Sequence, residues 1–444
     1  MRVVVAPATP AGRSALAVVR LSGSGALDIA LAVARPLHAA PIQPRIARRV
    51  AFCDGSGRFD DGILLFFAGP RSVTGEDVVE LTCHGNPVIV QHLVDELLAA
   101  GAVMAEAGEF TRRGLLHGKY DLVAAEGVHA AIEASSVAGL RVAQQALDGA
   151  HSEAYAELRQ ALCVVGAELE ARLDQPGDAL TTEDDDAVSE RLEAIAAEAQ
   201  ALARGADRGR RVVDGARVAL VGPTNAGKSS LFNALVGRRR ALVHHRPGTT
   251  RDVLEVRAVL GGAGITLLDT AGERETDDPV EAAGLALGRE LTDGADLLVV
   301  VLRAREDGPS EEEQHILART ADRRRLLVLN GVDTVPQAPS PPGAVRTSAA
   351  TGEGVEALSE HIAAAVGGGG IGEGELVIAS TRQAERLRAI AAGCAEAVEA
   401  LPLAGPAVAA ELVTECIAAI DELTGASPRE GVLDALFQRF CIGK

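Results

Sequence analysis

The run Gly222-Pro223-Thr224-Asn225-Ala226-Gly227-Lys228-Ser229 constrains this chain more than any other. It follows an apolar stretch at 218–221 and precedes a helical pattern, so it fits GxxxxGK[ST] in the strand–loop–helix setting that gives the motif its meaning. Backbone N–H groups of such a loop, with the N-terminus of the helix behind it, cradle phosphates. Lys228 then reaches the β and γ oxygens and Ser229 offers its hydroxyl to Mg²⁺, with Asn225, Ala226, Gly227 and Ser230 completing the phosphate-binding set. The competing reading, a plain Gly-rich turn, has little left to explain in this setting. Short apolar runs recur at 253–259, 265–268, 297–302, 326–329 and 344–347, separated by helical or Gly-rich segments. That alternation predicts a mostly parallel, doubly wound sheet. It ends at the flexible glycine run 367–370.

Further motifs follow the loop in order. Asp269-Thr270-Ala271-Gly272 closes a strand, where an Asp can hold the Mg²⁺ shell and the Gly amide can meet the γ-phosphate. Between the two lies Gly248-Thr249-Thr250-Arg251-Asp252, placed for a switch whose Thr250 hydroxyl closes on Mg²⁺. Asn330-Gly331-Val332-Asp333 ends another strand, and a carboxylate there accepts from the guanine N1–H and N2–H₂ edge, which adenine lacks. Ser348-Ala349 follows the last strand, where an amide can meet the guanine oxygen. Together these motifs imply GTP binding and hydrolysis. One departs from its usual form: Gly331 stands where Asn-Lys-x-Asp has lysine. No Gln follows Gly272 to orient the attacking water; Glu273, Glu275 and Glu281 are the alternatives, each also readable as a solvated loop charge.

At 444 residues the chain is too long for one ordinary core, which predicts two or three domains. Residues 1–117 read as α+β, with strands at 15–21, 62–67 and 78–83 and an amphipathic helix at 88–100. Residues 122–202 are helical, interrupted at Gln175-Pro176-Gly177 and the acidic stretch 183–186, and helical patterning resumes at 376–440. The simplest topology folds the helices on either side of the α/β unit together and leaves that unit as an insertion. The divisions are 1–117, 118–212, 213–370 and 371–444, the second and fourth being two parts of one helical domain. Six scattered Cys without metal-ligand spacing argue for a reducing compartment. No signal peptide or membrane span is visible, so a cytoplasmic protein is expected. A net charge of -19 speaks against a free-standing nucleic-acid binder, so positive surface for RNA should come from a partner. Of 43 basic residues only Lys119, Lys228 and Lys444 are lysine, and all three fall inside motifs, which favours a need for a compact ammonium over chance.

Outside the nucleotide motifs, Val18-Val19-Arg20-Leu21-Ser22-Gly23, the stretch from Thr74-Gly75-Glu76 to Glu80 and His84, Gly108-Glu109-Phe110-Thr111-Arg112-Arg113, His117-Gly118-Lys119-Tyr120-Asp121-Leu122 and Phe440-Cys441-Ile442-Gly443-Lys444 together resemble the MnmE/TrmE family of tRNA modification GTPases over essentially the whole chain. The resemblance implies a Ras-like P-loop G domain inserted into a helical domain, behind an α+β tetrahydrofolate-binding domain that forms homodimers. It implies folate contacts at Arg20, Glu80, Lys119 and Lys444, with the C-terminal segment received by the folate pocket. Glu281 takes the position of the glutamate that orients water, and Cys441 that of a terminal cysteine, with catalysis and simple packing both open for the latter. Asn225 takes the position of a K⁺ ligand, with His244, Arg246 and Thr249 supplying the rest of the K⁺ site; the loop His244-His245-Arg246-Pro247 departs from the family's smaller, partly acidic run. The implied reaction adds an aminomethyl-type group to C5 of the tRNA wobble uridine, jointly with the FAD-carrying flavoprotein MnmG. Two rival readings are a ribosome-assembly GTPase and a low-turnover GTP-dependent scaffold.

Overall fold

The computed structural model of the chain describes residues 2–174, 185–237, 254–269, 294–367, 372, 375–426, 430–438, 440 and 443. Two compact units divide it, Met1–Ala125 with Asp421–Lys444, and Glu126–Ile420.

The first unit is built on strict two-residue alternation. Its elements are β1 (Val4–Pro7), β2 (Leu16–Ser22), α1 (Ala26–Val33), β3 (Ala34–Pro36), β4 (Arg48–Asp54), β5 (Gly57–Phe67), β6 (Val78–His84), α2 (Pro87–Ala99), β7 (Val103–Met104) and α3 (Glu109–Leu116). The strands form one seven-stranded sheet ordered β3-β4-β5-β6-β2-β1-β7, antiparallel except where β7 runs parallel to β1. Val19, Leu21, Leu64, Phe66, Val79 and Leu81 point to one face and pack with Ala26 and Ala30 of α1 and Leu93 and Leu97 of α2. α2 starts cleanly because the Asn86 side chain accepts from the Val88 N–H and Pro87 sits in the first turn. On the opposite face Phe110 covers Val4 and Ala6. Sequence periodicity located β2, β5, β6 and α2. β1 was hidden by Pro7 and Pro10, which read as breakers, yet Pro7 only ends the strand.

The second unit carries α4 (Leu122–Glu133, its first residues in the first unit), α5 (Val137–Leu147), α6 (Ala150–Asp174), α7 (Asp185–Arg204) and α8 (Ala206–Asp214). An α/β layer comes after them: β8 (Ala216–Val221), α9 (Lys228–Gly237), β9 (Leu254–Leu260), β10 (Ala263–Asp269), β11 (Leu297–Arg303), α10 (Glu311–Arg319), β12 (Arg325–Asn330), β13 (Val345–Thr347) and α11 (Val355–Ala365). α12 (Thr381–Ala404) and α13 (Pro406–Thr424) come next, and α14 (Glu430–Phe437) belongs to the first unit.

The second sheet is ordered β13-β12-β11-β8-β10-β9, all parallel apart from β9, which pairs antiparallel with β10 at the edge. β10 and the apolar run of β11 are buried throughout, as strands covered on both faces must be. α7 packs along α12, so helices before and after the α/β layer join in one bundle, and the layer is an insertion. That bundle is pinned by polar contacts: Tyr155 donates to Gln383 at 2.7 Å, and Arg382 donates to Glu126 at 2.7 Å. Residues 375–380, inside the stretch read as helical, are irregular, and α12 starts only where the Ser380 hydroxyl caps the Gln383 N–H. Among the described residues no helix is long and apolar enough to cross a membrane. The five described cysteines are free thiols.

Candidate functional site

β8 delivers the chain into the loop Gly222–Gly227 and α9 begins at Lys228, so the phosphate-loop geometry follows from strand and helix placement. Asn225 and Gly227 adopt left-handed φ values of 69° and 86°. At Gly227 glycine is required twice over, because a Cβ would also lie 2.3 Å from Asn330 Nδ2. The Lys228 ammonium is buried and donates to the carbonyls of Gly222 at 2.8 Å and Pro223 at 2.9 Å. Ser229 and Ser230, in the first turn of α9, are exposed.

Asn330 joins the loop to the base-recognition segment. It is 6% exposed at the end of β12; its Nδ2 donates to Ala226 O at 3.1 Å, and its Oδ1 accepts from the Ala349 N–H at 3.1 Å and from Thr347 Oγ1 at 3.4 Å. Ser348 is buried, while Asp333 is exposed and free to meet a base edge. Gly331 has φ of 85° and lends its N–H to Thr347 O. Asp269 ends β10 in register with Leu220, one residue before the phosphate-loop strand ends. Its Oδ1 is buried with no hydrogen-bond partner among the described residues. A buried acceptor left open beside a phosphate loop fits the shell of a divalent cation. His244, Arg246, Thr249, Thr250, Thr270, Ala271, Gly272 and Glu281 lie outside the described residues.

A second constellation lies on the first sheet. Arg20 on β2 and Glu80 on β6 are direct cross-strand partners, and the guanidinium holds one carboxylate oxygen through Nε at 3.0 Å and Nη2 at 2.7 Å. Both side chains keep about a quarter of their surface exposed, 22% and 25%. Arg20 also lies 5.7 Å from the centre of the Phe110 ring, and its Nη1 reaches the Gly443 carbonyl at 3.5 Å. Gly443 has φ of 97°, and a Cβ there would sit 2.0 Å from Pro7 O, so only glycine fits at this position against β1. Phe437 and Phe440 pack with Leu122 beneath it. Lys119 is exposed and donates to Pro70 O at 2.9 Å; beside it, burial pushes the Tyr120 hydroxyl up to about 12, where it donates to Thr111 O. Arg20, Glu80 and Gly443 are thus brought together, while Lys119 meets the loop that carries Pro70. Lys444 and Cys441 lie outside the described residues. A partly exposed cation–carboxylate pair beside an aromatic ring fits a ligand with both a carboxylate and a donor-bearing ring.

Comparison with known proteins decides the lineage. The family description "MnmE helical domain" matches residues 122–441, and "GTP-binding protein TrmE N-terminus" matches residues 3–119. The tRNA modification GTPase MnmE of Myxococcus xanthus is 41% identical over 99% of this chain and 98% of its own length. That of Halorhodospira halophila is 40% identical over 99% and 95%. The chain belongs to the MnmE/TrmE family. Among solved structures, the G domain of the T. maritima FeoB iron transporter is similar at 29% identity, covering 34% of this chain and 98% of its own at a TM-score of 0.27.

Within the MnmE framework, four further residues, to which the sequence assigned no role, hold these sites in place. Arg113 is buried and donates to Glu76 at 2.8 Å, Glu109 at 2.7 Å and the carbonyls of Arg2 and Ser22, tying the Thr74–Glu76 loop to the sheet. Phe110 and Gly443 shape the Arg20 site, and Thr347 backs Asn330. A motif string names such residues, but only their partners reveal what they hold.

Proposed function

We propose that this chain binds and hydrolyses GTP and, together with the flavoprotein MnmG and a tetrahydrofolate derivative, adds an aminomethyl or carboxymethylaminomethyl group to C5 of the wobble uridine of certain tRNAs. The observation that carries the reading is near-full-length identity of about 40% with curated MnmE proteins. The Asn330 bridge and the Arg20–Glu80 site support it from the chain's own geometry.

On this reading Asp333 accepts from the guanine edge, and the amide of Ala349 meets the guanine oxygen. Lys228 leaves the Gly222 and Pro223 carbonyls for the β and γ oxygens. Ser229, Thr250 and the Asp269 shell hold Mg²⁺, while Asn225, His244, Arg246 and Thr249 hold K⁺. These cations, when bound, neutralise charge developing between the β- and γ-phosphates. Glu281 orients the attacking water. Arg20, Glu80, Lys119 and Lys444 bind the folate, which supplies the one-carbon unit, and Cys441 is the candidate catalytic thiol. The protein works as a cytoplasmic homodimer divided at 1–117, 118–212, 213–370 and 371–444, with tRNA held mainly through MnmG and FAD carried there.

Mass spectrometry of wobble nucleosides tests the whole reading. A strain lacking the chain should lose the modified uridine, and re-expression should restore it. Unchanged nucleosides would overturn the proposal and favour a ribosome-assembly role, for which co-purification of folate would be unexplained. Gly331, which removes a lysine stem from the base, is the one observation favouring a low-turnover scaffold; GTP hydrolysis stimulated by K⁺ would exclude it.

A further inference from the structure

Within the second unit, the chain enters and leaves the α/β layer at neighbouring points. The first crossing runs from the end of α8 through Gly215 into β8, and the second leaves α11 through Val366 and Gly367. Gly215 and Gly367 both hold left-handed φ, 86° and 81°. Val212 and Ala216 of the first crossing share a cavity of about 20 Å³ with Val366 and Gly367 of the second, little more than one water fills. The two crossings stay together on the bundle side. A Cβ on Gly209 of α8 would sit 2.1 Å from Ile378 O, and the Val377 N–H donates to Gln145 of α5 at 3.3 Å. Adjacent crossings with glycine dihedrals make a hinge, and contacts away from it decide whether the layer can turn.

The corner between α4 and α5 supplies such a contact, against the β9–β10 hairpin. Ser135 at that corner donates to Val213 O through its N–H at 2.9 Å and its hydroxyl at 3.1 Å. A Cβ on Gly264 of β10 would lie 2.0 Å from the Ser135 Oγ, so hairpin and corner touch directly. Gly264 itself lines the small cavity at the crossings. Two residues further along β10, about 7 Å away, Thr266 pairs with Arg257 of β9. Arg257 Nη1 donates to Glu133 of α4 at 2.9 Å. On the other side of the hinge Arg210 approaches Asp296 only at 3.9 Å. The hairpin's far end belongs to the nucleotide site: Leu254 pairs with Asp269, and residues 251–253 alone separate it from Thr250.

We propose that Glu133 and Arg257 are the latch of this hinge, holding the α/β layer against the bundle until GTP draws on β9. The pair bonds bundle to layer away from the crossings, so while it is closed the layer cannot swing on them. Its side chains are 37% and 28% exposed, for Arg257 and Glu133 respectively. Pairs of that exposure shift an equilibrium by no more than about fivefold, which suits a contact made to open. Gly264 adds close packing without a side chain to interlock, so the hairpin can slide from Ser135 once the ion pair parts. Release by GTP rests on the proposed function; the latch itself rests only on the contacts between α4 and the hairpin.

The test is the distance distribution between fluorescent non-natural residues at exposed positions 170 of α6 and 312 of α10 in the full-length protein. Without nucleotide, Glu133→Gln and Arg257→Gln should each raise the population outside the wild-type peak by about two- to fivefold. The double variant should match either single, because the two residues act as one pair. Arg257→Lys keeps a cation for Glu133 and should stay near wild type. A GTP analogue should move the wild-type distribution towards that of the variants and leave the variants unmoved, while GTP hydrolysis is unchanged throughout. Variant distributions identical to wild type would overturn the proposal, and so would additive effects in the double variant. Loss of hydrolysis in either single variant would also overturn it, by moving the pair's work to the nucleotide site. A wild-type distribution indifferent to a bound GTP analogue would overturn the release. Failure of the wild-type chain to bind GTP would instead remove the proposed function, with the nucleotide-free comparison still deciding the latch.

Discussion

Asn330 offers the sharpest perturbation of the nucleotide site. Its side chain is buried, and it spends one donor on Ala226 O and one acceptor chiefly on the Ala349 N–H, both at 3.1 Å. Asn330→Ala orphans a carbonyl in the phosphate loop and an amide in the base loop. Each buried group left unsatisfied costs about 1–3 kcal/mol, so the pair loses roughly 2–6 kcal/mol. Part appears as stability and part as affinity, since the two loops must keep register for one nucleotide to span them. GTP should bind at least about a hundredfold more weakly, equivalent to about 2.7 kcal/mol. Asn330→Asp separates register from chemistry. A carboxylate can still accept from Ala349 but faces the Ala226 carbonyl, which raises its pKa; protonation creates the missing donor. Its affinity should therefore recover as pH falls from about 8 towards about 5.5, while Asn330→Ala stays flat. Fluorescent guanine-nucleotide titration at both pH values reads this directly. Asn330→Ala binding within threefold of wild type would refute the bridging argument.

The remaining predictions concern both sites. Asp333→Asn should move preference from GTP to XTP, with GTP affinity down on the order of a hundredfold in competition titrations. At Gly331, restoring the lysine stem should gain about 1 kcal/mol of packing over the base, but the φ of 85° charges a comparable cost to any L side chain. Calorimetry should thus find Gly331→Lys within about threefold of wild type for GDP, and a tenfold gain would mean that no strain is felt. Asn225→Gly suits the φ of 69° while deleting the carboxamide, so K⁺ stimulation of hydrolysis over Na⁺ should vanish with nucleotide binding kept; persistent stimulation would move the ion elsewhere. Gly443→Ala forces a Cβ to within 2.0 Å of Pro7 O and should displace the segment from Arg20, weakening reduced-folate binding about tenfold in fluorescence titration; unchanged affinity would make that contact incidental.

How far the sequence could be read depended on which force shaped each segment. β10 and β11 are apolar because both faces are covered, so they announce themselves as continuous runs. β4 and the first half of β5 do not. Arg49 and Asp61 stand on their open, polar face, and Arg48, Arg58 and Asp60 interrupt the rest of the pattern, so hairpin pairing rather than burial makes them strands. β3 and β7 are three and two residues long, below any periodicity. The start of α2 was legible because Asn86 caps it just before the helical pattern's first residue at 88, whereas the helical pattern from 376 runs past the Ser380 cap where α12 begins.

The sites divide along a similar line. Motif spacing singled out Lys228, Asp269, Asn330 and Ala349 as candidates, because phosphate and guanine recognition would need such groups at fixed points on a parallel sheet. It could not show that Asn330 spans two loops, since a bond from residue 330 to residue 226 has no local signature. Lys228 and Lys119 differ in what their positions demand. At Lys228 two carbonyls only 2.8 and 2.9 Å away enclose a buried ammonium, a space that a planar guanidinium with five fixed donors cannot enter, so lysine is demanded by geometry. Lys119 is exposed and has one carbonyl partner, at Pro70, which a guanidinium could also satisfy. Lys119→Arg should therefore fold normally, and any loss it shows in folate binding would have to come from the ligand's demand for a point charge rather than from the protein's own packing.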